Sequence, residues 1–461
     1  MKKRVVSILV LSLICNLFFA PAALAQASSG DGIDLFKLND AATQGAITIE
    51  EAVNMALAVN TDIQIASKNV EIYEQQVRQY WSYVYPSISL SGSYTRALRA
   101  QNMITSMGSL RMNLDNSTSG TAEASLLLWA GGAVKAGIKI GDMYSQSGHF
   151  QLDETKNKIK DLVTMLCYGI VLSHALIQVQ QENLNIAQDH LKEIKLKYKQ
   201  GLASDLDILN QEVKVSNSEP PLIKAKNDYE LGILNLKRVL NKNAEDDLKL
   251  KWQTENVESL IIPQLEALYD MARENRPELV IVRNATKIAE EQIKVARADH
   301  FGQISAFVNA TYTGSSNSVI IPVSSNNSSY GANAGIRLSI PLFEGFRVNS
   351  IVKQKQLAYD QSVLLEKDTE RTIQIAVKQA RLNFEEAKER VSATRGTIKQ
   401  ARTNLDRTTL RYRNGLASRL DLDDSSLLLH DAELQFVQAV HDVFTALSNL
   451  NYAVGKEVIS K

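Results

Sequence analysis

The chain has 461 residues, with 51 basic and 51 acidic side chains and no net charge at neutral pH. That balance leaves no excess of positive charge for a polyanion, so no nucleic-acid partner is expected. Two cysteines, Cys15 and Cys167, exclude a disulfide-rich scaffold.

Lys2, Lys3 and Arg4 precede an apolar run from Val5 to Ala20, and Ala23-Leu24-Ala25 stands before Gln26. This is the three-part pattern of a secretory signal peptide over residues 1–25, cleaved after Ala25. Ile14, rather than a small residue, precedes Cys15, which argues against lipidation. Loss of the leader leaves Cys167 alone, so no internal disulfide is expected, and a cysteine inside a helical core is read as packing. The remaining chain shows no run of about eighteen apolar residues, so a membrane crossing is expected to be made by strands.

Residues 26–47 are rich in Gly, Ser and Asp and read as a loosely ordered lead. A short helix from Ile49 to Val59 and a longer one from Asp62 to Tyr83 follow, the second with Ile63, Ala66, Val70, Tyr73, Val77 and Tyr80 on one face. Pro86 ends this helix and the period changes from 3.6 to 2. Ile88, Leu90, Gly92 and Tyr94 alternate with serines, and Ala122, Ala124, Leu126 and Leu128 alternate with Thr121, Glu123 and Ser125. The same change recurs downstream, in Ile304 to Tyr312 and in Ala332 to Ile340. Four segments of about ten residues, each apolar on one face, have the length and pattern of transmembrane strands. Two ordinary soluble hairpins are the alternative. Tyr85, Trp129, Phe301 and Phe343 at the strand-to-helix junctions favour the membrane, as an interfacial girdle. Four strands cannot close a barrel, since the smallest have about eight, so closure requires several copies of the chain.

After each second strand comes a long helix. From Glu344 to Gly415 no proline interrupts an apolar seam of Ile373, Val377, Ala380, Phe384, Ala387, Val391, Thr394, Ile398, Ala401 and Leu405. Ile159, Val163, Leu166, Ile170, Ser173, Ile177, Gln180, Leu184, Ala187 and Leu191 repeat it 214 residues upstream, so the chain is a tandem duplication. Each rod ends in a repeated turn, Gly201-Leu202-Ala203-Ser204-Asp205-Leu206-Asp207 and Gly415-Leu416-Ala417-Ser418-Arg419-Leu420-Asp421, and a further helix follows. Pro220-Pro221 interrupt the first of these helices and are expected to kink or break it near Glu219. Residues 243–263, polar and containing Trp252, read as a non-helical appendage halfway along the rod.

The signal peptide, the duplicated helix–hairpin–helix plan, Leu342-Phe343-Glu344-Gly345 and the repeated Gly-Leu-Ala-Ser turn together resemble the TolC-like outer-membrane efflux proteins, the outer membrane factors. The resemblance spans nearly all of the chain after the leader. It implies a mainly α fold with membrane β: a homotrimer whose four strands per chain make a 12-stranded transmembrane β-barrel, continued by a long α-helical barrel across the periplasm. Residues 85–129 and 301–343 then form the outer-membrane hairpins. Residues 48–84, 130–242, 264–300 and 344–455 form the helical barrel, with tips near 200–207 and 414–421. Residues 243–263, with 456–461, form an equatorial segment. The implied function is an exit duct of a tripartite efflux pump or type I secretion system, embedded in outer-membrane lipid and docked on a periplasmic adaptor (membrane fusion) protein and an inner-membrane transporter.

In the tip motif, Gly201 and Gly415 suit the left-handed residue after a helix end, Ser204 and Ser418 suit N-caps, and Asp207 and Asp421 suit the third helical position. Capping alone explains most of the motif. Asp424 lies beyond the cap. The resemblance implies that Asp421 and Asp424 line an inner constriction as six carboxylates favouring cations, that Tyr412 and Asp207 take part in closure, and that the tip turns with Leu202 and Leu416 dock the adaptor. The family's arginine two residues after the glycine is absent, Ala417 standing in its place. Asp205 and its repeat counterpart Arg419 give neighbouring turns opposite charges and are expected to latch the gate instead. The six histidines show no tight ligand spacing, and Met103, Met107 and Met112 read as loop residues, so no metal or cofactor is expected. No nucleophile constellation, phosphate loop or paired catalytic carboxylate points to an enzyme. The rival reading is a secreted or periplasmic coiled-coil scaffold without channel activity.

Overall fold

The structure is a computed structural model that describes residues 46–98, 102–106, 108–111, 116–252, 257, 260–316 and 328–459. The signal peptide, residues 26–45 of the lead, Met107, Met112 and residues 460–461 lie outside this set. In chain order the elements are β1 (Ala46–Ile47), α1 (Ile49–Val59), α2 (Thr61–Trp81), β2 (Ser87–Arg96), β3 (Asn102–Thr105), β4 (Gly108–Arg111), β5 (Asn116–Trp129), α3 (Ala133–Lys199), α4 (Asp205–Val239), β6 (Lys249–Leu250), α5 (Leu265–Asn275), α6 (Pro277–Ala298), β7 (Gln303–Ser316), β8 (Ser328–Ser339), α7 (Arg347–Arg413) and α8 (Arg419–Val454).

The seam read from the sequence is the line along which the rods pack. In α7, Ile373, Val377, Ala380, Phe384, Ala387, Val391 and Ile398 are buried, and in α3, Ile159, Val163, Ile170, Gln180, Leu184 and Ala187. Both rods have 67 residues, roughly 100 Å at 1.5 Å per residue. Each is flanked by two shorter helices in succession. α3 packs on α2 and α6 toward the sheet and on α4 and α8 toward the tip, while α7 packs on α6 and α8.

The short helices meet end to end at two equivalent joints. Asn60, the N-cap of α2, accepts from the Asp62 N–H at 2.9 Å and donates its Nδ2 to the carbonyl of Val239, the last residue of α4, at 3.0 Å. At the same place in the second copy, Arg276 donates to the carbonyls of Tyr452 and Ala453 at the end of α8, at 3.1 and 3.0 Å, and pairs with Glu278. The last carbonyls of a helix lack intrahelical donors. Here the side chain that opens the next helix supplies them.

Pro220 and Pro221 do not break α4, which runs unbroken from Asp205 to Val239. The carbonyls that the prolines leave without donors, on Ser216 and Asn217, belong to exposed residues that water can satisfy. A second sequence expectation also fails. Leu162–Val179 of α3 carries no Asp, Glu, Lys or Arg, and α3 contains a stretch with mean hydropathy 1.8, enough by length and composition to cross a membrane. A third of that stretch is buried inside the chain. Its apolar side chains go to the largest core, where Val163, Cys167, Ile170, Val171, Ala175 and Val179 pack with α1, α4 and α8.

The appendage halfway along the rods is built from two distant segments. β1 pairs in parallel with β6, so the end of the lead closes onto residues 249–250. Trp252 completes an aromatic cluster with Tyr168 and Phe444, its ring centroid 6.2 and 5.2 Å from theirs.

At the other end, four antiparallel strands form a sheet in the order β2-β5-β7-β8. Register aligns the alternation across all four: Leu90, Ala122, Ala310 and Ala332 stand in one row, and Ile88, Ala124, Val308 and Ala334 in the next. Over these rows one face is apolar, and it lies open, with Ile88 82% and Leu90 83% exposed. The facing rows are mostly Ser, Thr, Asn and Gly, with Glu123, Leu127, Phe307 and Arg337 among them. The register shifts between Leu127 and Trp129, making Leu128 an extra residue in β5. β3 and β4 pair as a small hairpin beyond the sheet that the alternation did not reveal.

Candidate functional site at the helix tips

The two rods end alike. Gly201 and Gly415 take φ of +72° and +70°, the left-handed conformation that ends a helix. The next residues fold back, Leu202 N–H to the Lys197 carbonyl at 2.9 Å and Leu416 N–H to that of Arg411 at 2.8 Å. Ser204 and Ser418 then cap α4 and α8. In each case the serine hydroxyl accepts the N–H of the aspartate three residues on at 3.2 Å, and that carboxylate accepts the serine N–H, at 2.9 Å for Asp207 and 2.8 Å for Asp421. These backbone hydrogen bonds are the main reason both carboxyls lie below the ordinary carboxylate range. The capping role read from the motif is present at both tips.

Arg419 joins one tip to the other. Its guanidinium donates to the Asp207 carbonyl at 3.0 Å and to Gln211 Oε1 at 2.8 Å, with the Asp207 carboxylate 3.4 Å away. Within the chain Asp205 does not meet Arg419, and it accepts the N–H of its own neighbour Leu206 at 2.9 Å. Asp205 and Arg419 both stand at the first position of their helices, and the long Arg419 side chain reaches past the start of α4 to its third residue and to Gln211. The reach of Arg419 therefore selects Asp207 and Gln211.

Three residues of this contact are absent from the sequence reading. Gln211 is 2% exposed and donates its Nε2 to the Ala187 carbonyl at 2.9 Å, so its oxygen is aimed at Arg419. Asp423 lies 3.7 Å from Arg419 Nε and pairs with Lys214 of α4. His190 lines the same crevice with Tyr412, and burial pushes its pKa down against the opposing pull of Asp423 and Glu193. One signal existed: Gln211 and its repeat counterpart Ser425, both buried, are polar residues at a core position of their helices.

Tyr412 receives Lys197 on its ring at 3.9 Å from the centroid, another contact between the tips. Asp424 is exposed and forms no hydrogen bond or ion pair among the described residues; Asp421 is exposed with its carboxylate used by the cap. Leu202 and Leu416 stand out at the turns, 73% and 68% exposed. At the opposite end Tyr85, Trp129, Phe301 and Phe343 are all exposed where strands meet helices, Trp129 and Phe301 in edge contact at 6.5 Å.

An open apolar sheet, rods of about 100 Å and a charged tip define one class of molecule: a membrane-anchored protein of long helical rods. The chain belongs to the outer membrane efflux protein family, which it matches over residues 52–242 and 268–456. It is 22% identical over 294 residues to the alkaline protease secretion protein AprF of Pseudomonas aeruginosa, a match covering 62% of this chain and about three fifths of AprF. It is also 22% identical over 368 residues to the outer membrane protein TolC of Vibrio cholerae, covering 74% of this chain and 80% of TolC. The fold is that of the outer membrane protein VceC from Vibrio cholerae, with TM-score 0.75, 15% identity and coverage of 89% and 97% of the two chains. The protein is thus an outer-membrane efflux or secretion channel whose helices extend into the periplasm, in a family of channels rather than enzymes.

Proposed function

We propose that three chains associate so that their sheets close a 12-stranded barrel and their helices a continuous periplasmic duct, the exit channel of a tripartite efflux pump or type I secretion system. The observation that carries this reading is the sheet: among the described residues β2 and β8 each pair on one side only, and apolar residues of one face stand open, Ile88, Leu90, Val308 and Ile336 among them. Unpaired edges and exposed apolar rows are costly in water and natural in a closed barrel in lipid. Through such a duct cargo passes without covalent change. The tips form its periplasmic gate, where the Arg419–Asp207 contact holds the two hairpins of a chain together and Asp421 and Asp424 contribute six carboxylates at the aperture. The exposed Leu202, Leu206, Leu416 and Leu420 offer the periplasmic adaptor an apolar rim, and the adaptor connects the duct to an inner-membrane transporter. The test is electrophoretic and electrical together. Outer-membrane extracts should give a trimer-sized, heat-modifiable band, and the purified band should insert into planar bilayers with stepwise conductance. Full extraction without detergent, or a monomer that never conducts, would overturn the reading in favour of a scaffold.

A further inference from the structure

The polar face of the sheet is nearly neutral. Along the described strands its charged residues are Glu123 and Arg337, among Ser, Thr, Asn, Gln and Gly with Leu127 and Phe307. Arg337 is not left to wander on this wall. Its guanidinium carbon lies 4.9 Å from the centroid of the Phe307 ring on the adjacent strand. That ring lies over Gly335, its partner in register, so closely that a Cβ at 335 would stand 3.1 Å from the ring's Cζ. The glycine makes room for the ring, and the ring holds the guanidinium.

Stacking uses the face of a guanidinium and leaves its N–H edge free. No hydrogen bond or ion pair occupies that edge among the described residues. Within the chain Glu123 is no counter-ion. It stands level with Asn309 and Asn333, four residues along and two strands across from Arg337. At about 3.3 Å per residue and 4.8 Å per strand the separation is roughly 16 Å, twice the screening length of about 8 Å at physiological salt. Arg337 also sits two residues before the end of β8 at Ser339, next to the helical part of the duct.

We propose that Arg337, positioned by Phe307 and Gly335, is an anion-binding station at the periplasmic mouth of the β-barrel, three per channel, taking the carboxylate or phosphate-type groups of passing cargo. It rests on the trimeric channel reading above and adds a positive ring beyond the acidic tip. Cargo bearing both signs of charge would meet a complementary ring at each end of the helical duct.

The probe is inorganic pyrophosphate, titrated against the KCl conductance of single trimers in planar bilayers. Wild type should be partly blocked. Arg337→Gln, which removes the charge-assisted contacts, should raise the half-blocking concentration about tenfold. Phe307→Leu, which keeps the charge but loses the stack, should raise it roughly threefold, with Arg337→Lys also intermediate. Conducting wild-type channels without block, or equal block in Arg337→Gln, would overturn this proposal alone. A wild-type chain that forms no conducting trimer would sink the channel reading and this proposal with it.

Discussion

The bond between the two tips can be weighed from its geometry. In Arg419→Ala the Asp207 carbonyl and Gln211 Oε1 lose donors at 3.0 and 2.8 Å. Asp207 is exposed, so water replaces the donor there and the ion pair to its carboxylate adds little. Gln211 cannot recover so easily, because it is buried and its amide nitrogen is fixed on the Ala187 carbonyl. An orphaned buried acceptor costs about 1–3 kcal/mol. The sum is about 2 kcal/mol per chain, or roughly thirtyfold in the balance between joined and parted tips. Single-channel recording in planar bilayers should therefore show a clear rise in open probability for Arg419→Ala. Arg419→Lys should rescue only in part, because one ammonium cannot serve both acceptors as the guanidinium does. Asp205→Asn is the control, since Asp205 bonds only within its own helix end. Unchanged gating in Arg419→Ala, or an equal response in Asp205→Asn, would refute the assignment.

At the joints, Arg276→Ala uncovers two carbonyls and the Glu278 carboxylate, and should lower unfolding free energy by about 2–4 kcal/mol in denaturant titrations, against about 1 for Asn60→Ala. A Cβ at Gly148 would lie 2.5 Å from Tyr73 Cδ2. Overpacking in Gly148→Ala should cost about 1–3 kcal/mol, less up to about 1 from helix propensity, and combining it with Tyr73→Leu should recover most of that; strict additivity would count against the clash. Burial lowers the pKa of His174 and His430, whose Nδ1 atoms lack hydrogen-bond partners. Above about pH 6.5 both states hold these rings neutral; below it the unfolded chain binds protons first, so stability should fall with pH until the folded rings protonate. The slope should flatten in His174→Gln/His430→Gln, and a slope unaffected by these substitutions would place the pH dependence elsewhere. Asp421→Asn/Asp424→Asn should reduce cation over anion permeability, measured as reversal potential in a KCl gradient, and an unchanged potential would remove both from the aperture.

What was legible in the sequence is what depends on period. The seam of α3 and α7, the alternation in β2, β5, β7 and β8 and the duplication itself are one-dimensional patterns, and the packing follows them. What was not legible depends on partners far away in sequence or on direction around a helix. Two residues of β1 carry no pattern, and only their pairing with β6 makes them a strand. Gly137, Gly141 and Gly148 look like helix weakeners until Tyr80 and Tyr73 of α2 are seen lying over them. The helix is not broken at Pro220, because water can reach the carbonyls that the prolines leave without donors. Arg419 was singled out for its charge, but Asp207 and Gln211, its partners within the chain, depend on how two hairpins far apart in sequence lie side by side.

The two copies have kept some features and diverged in others, and the division has a physical cause. Asn60 and Arg276 occupy the same repeat position and perform the same service by different chemistry, because each must satisfy the last carbonyls of a helix within its own chain. Tyr73 and Tyr80 lie on glycines of α3, but their counterparts are Ala289 and Ala296, opposite an α7 that has Ile351, Lys355 and Ser362 where α3 has glycine. The bulk has moved across the interface from one helix to the other while the packing has been kept. Divergence is free where neighbours differ. The flank formed by α2 and α4 leaves Ile65, Ile72 and Ile223 exposed, and α7 leaves Leu357, Leu364 and Ile375 exposed, all more than half open. Burying each such side chain is worth about 1.5–3 kcal/mol. A chain that closed on itself would have no reason to keep apolar residues on both outer flanks. The proposed wall of repeated chains gives them a use, with the α7 flank of one copy set against the α2 and α4 flank of the next.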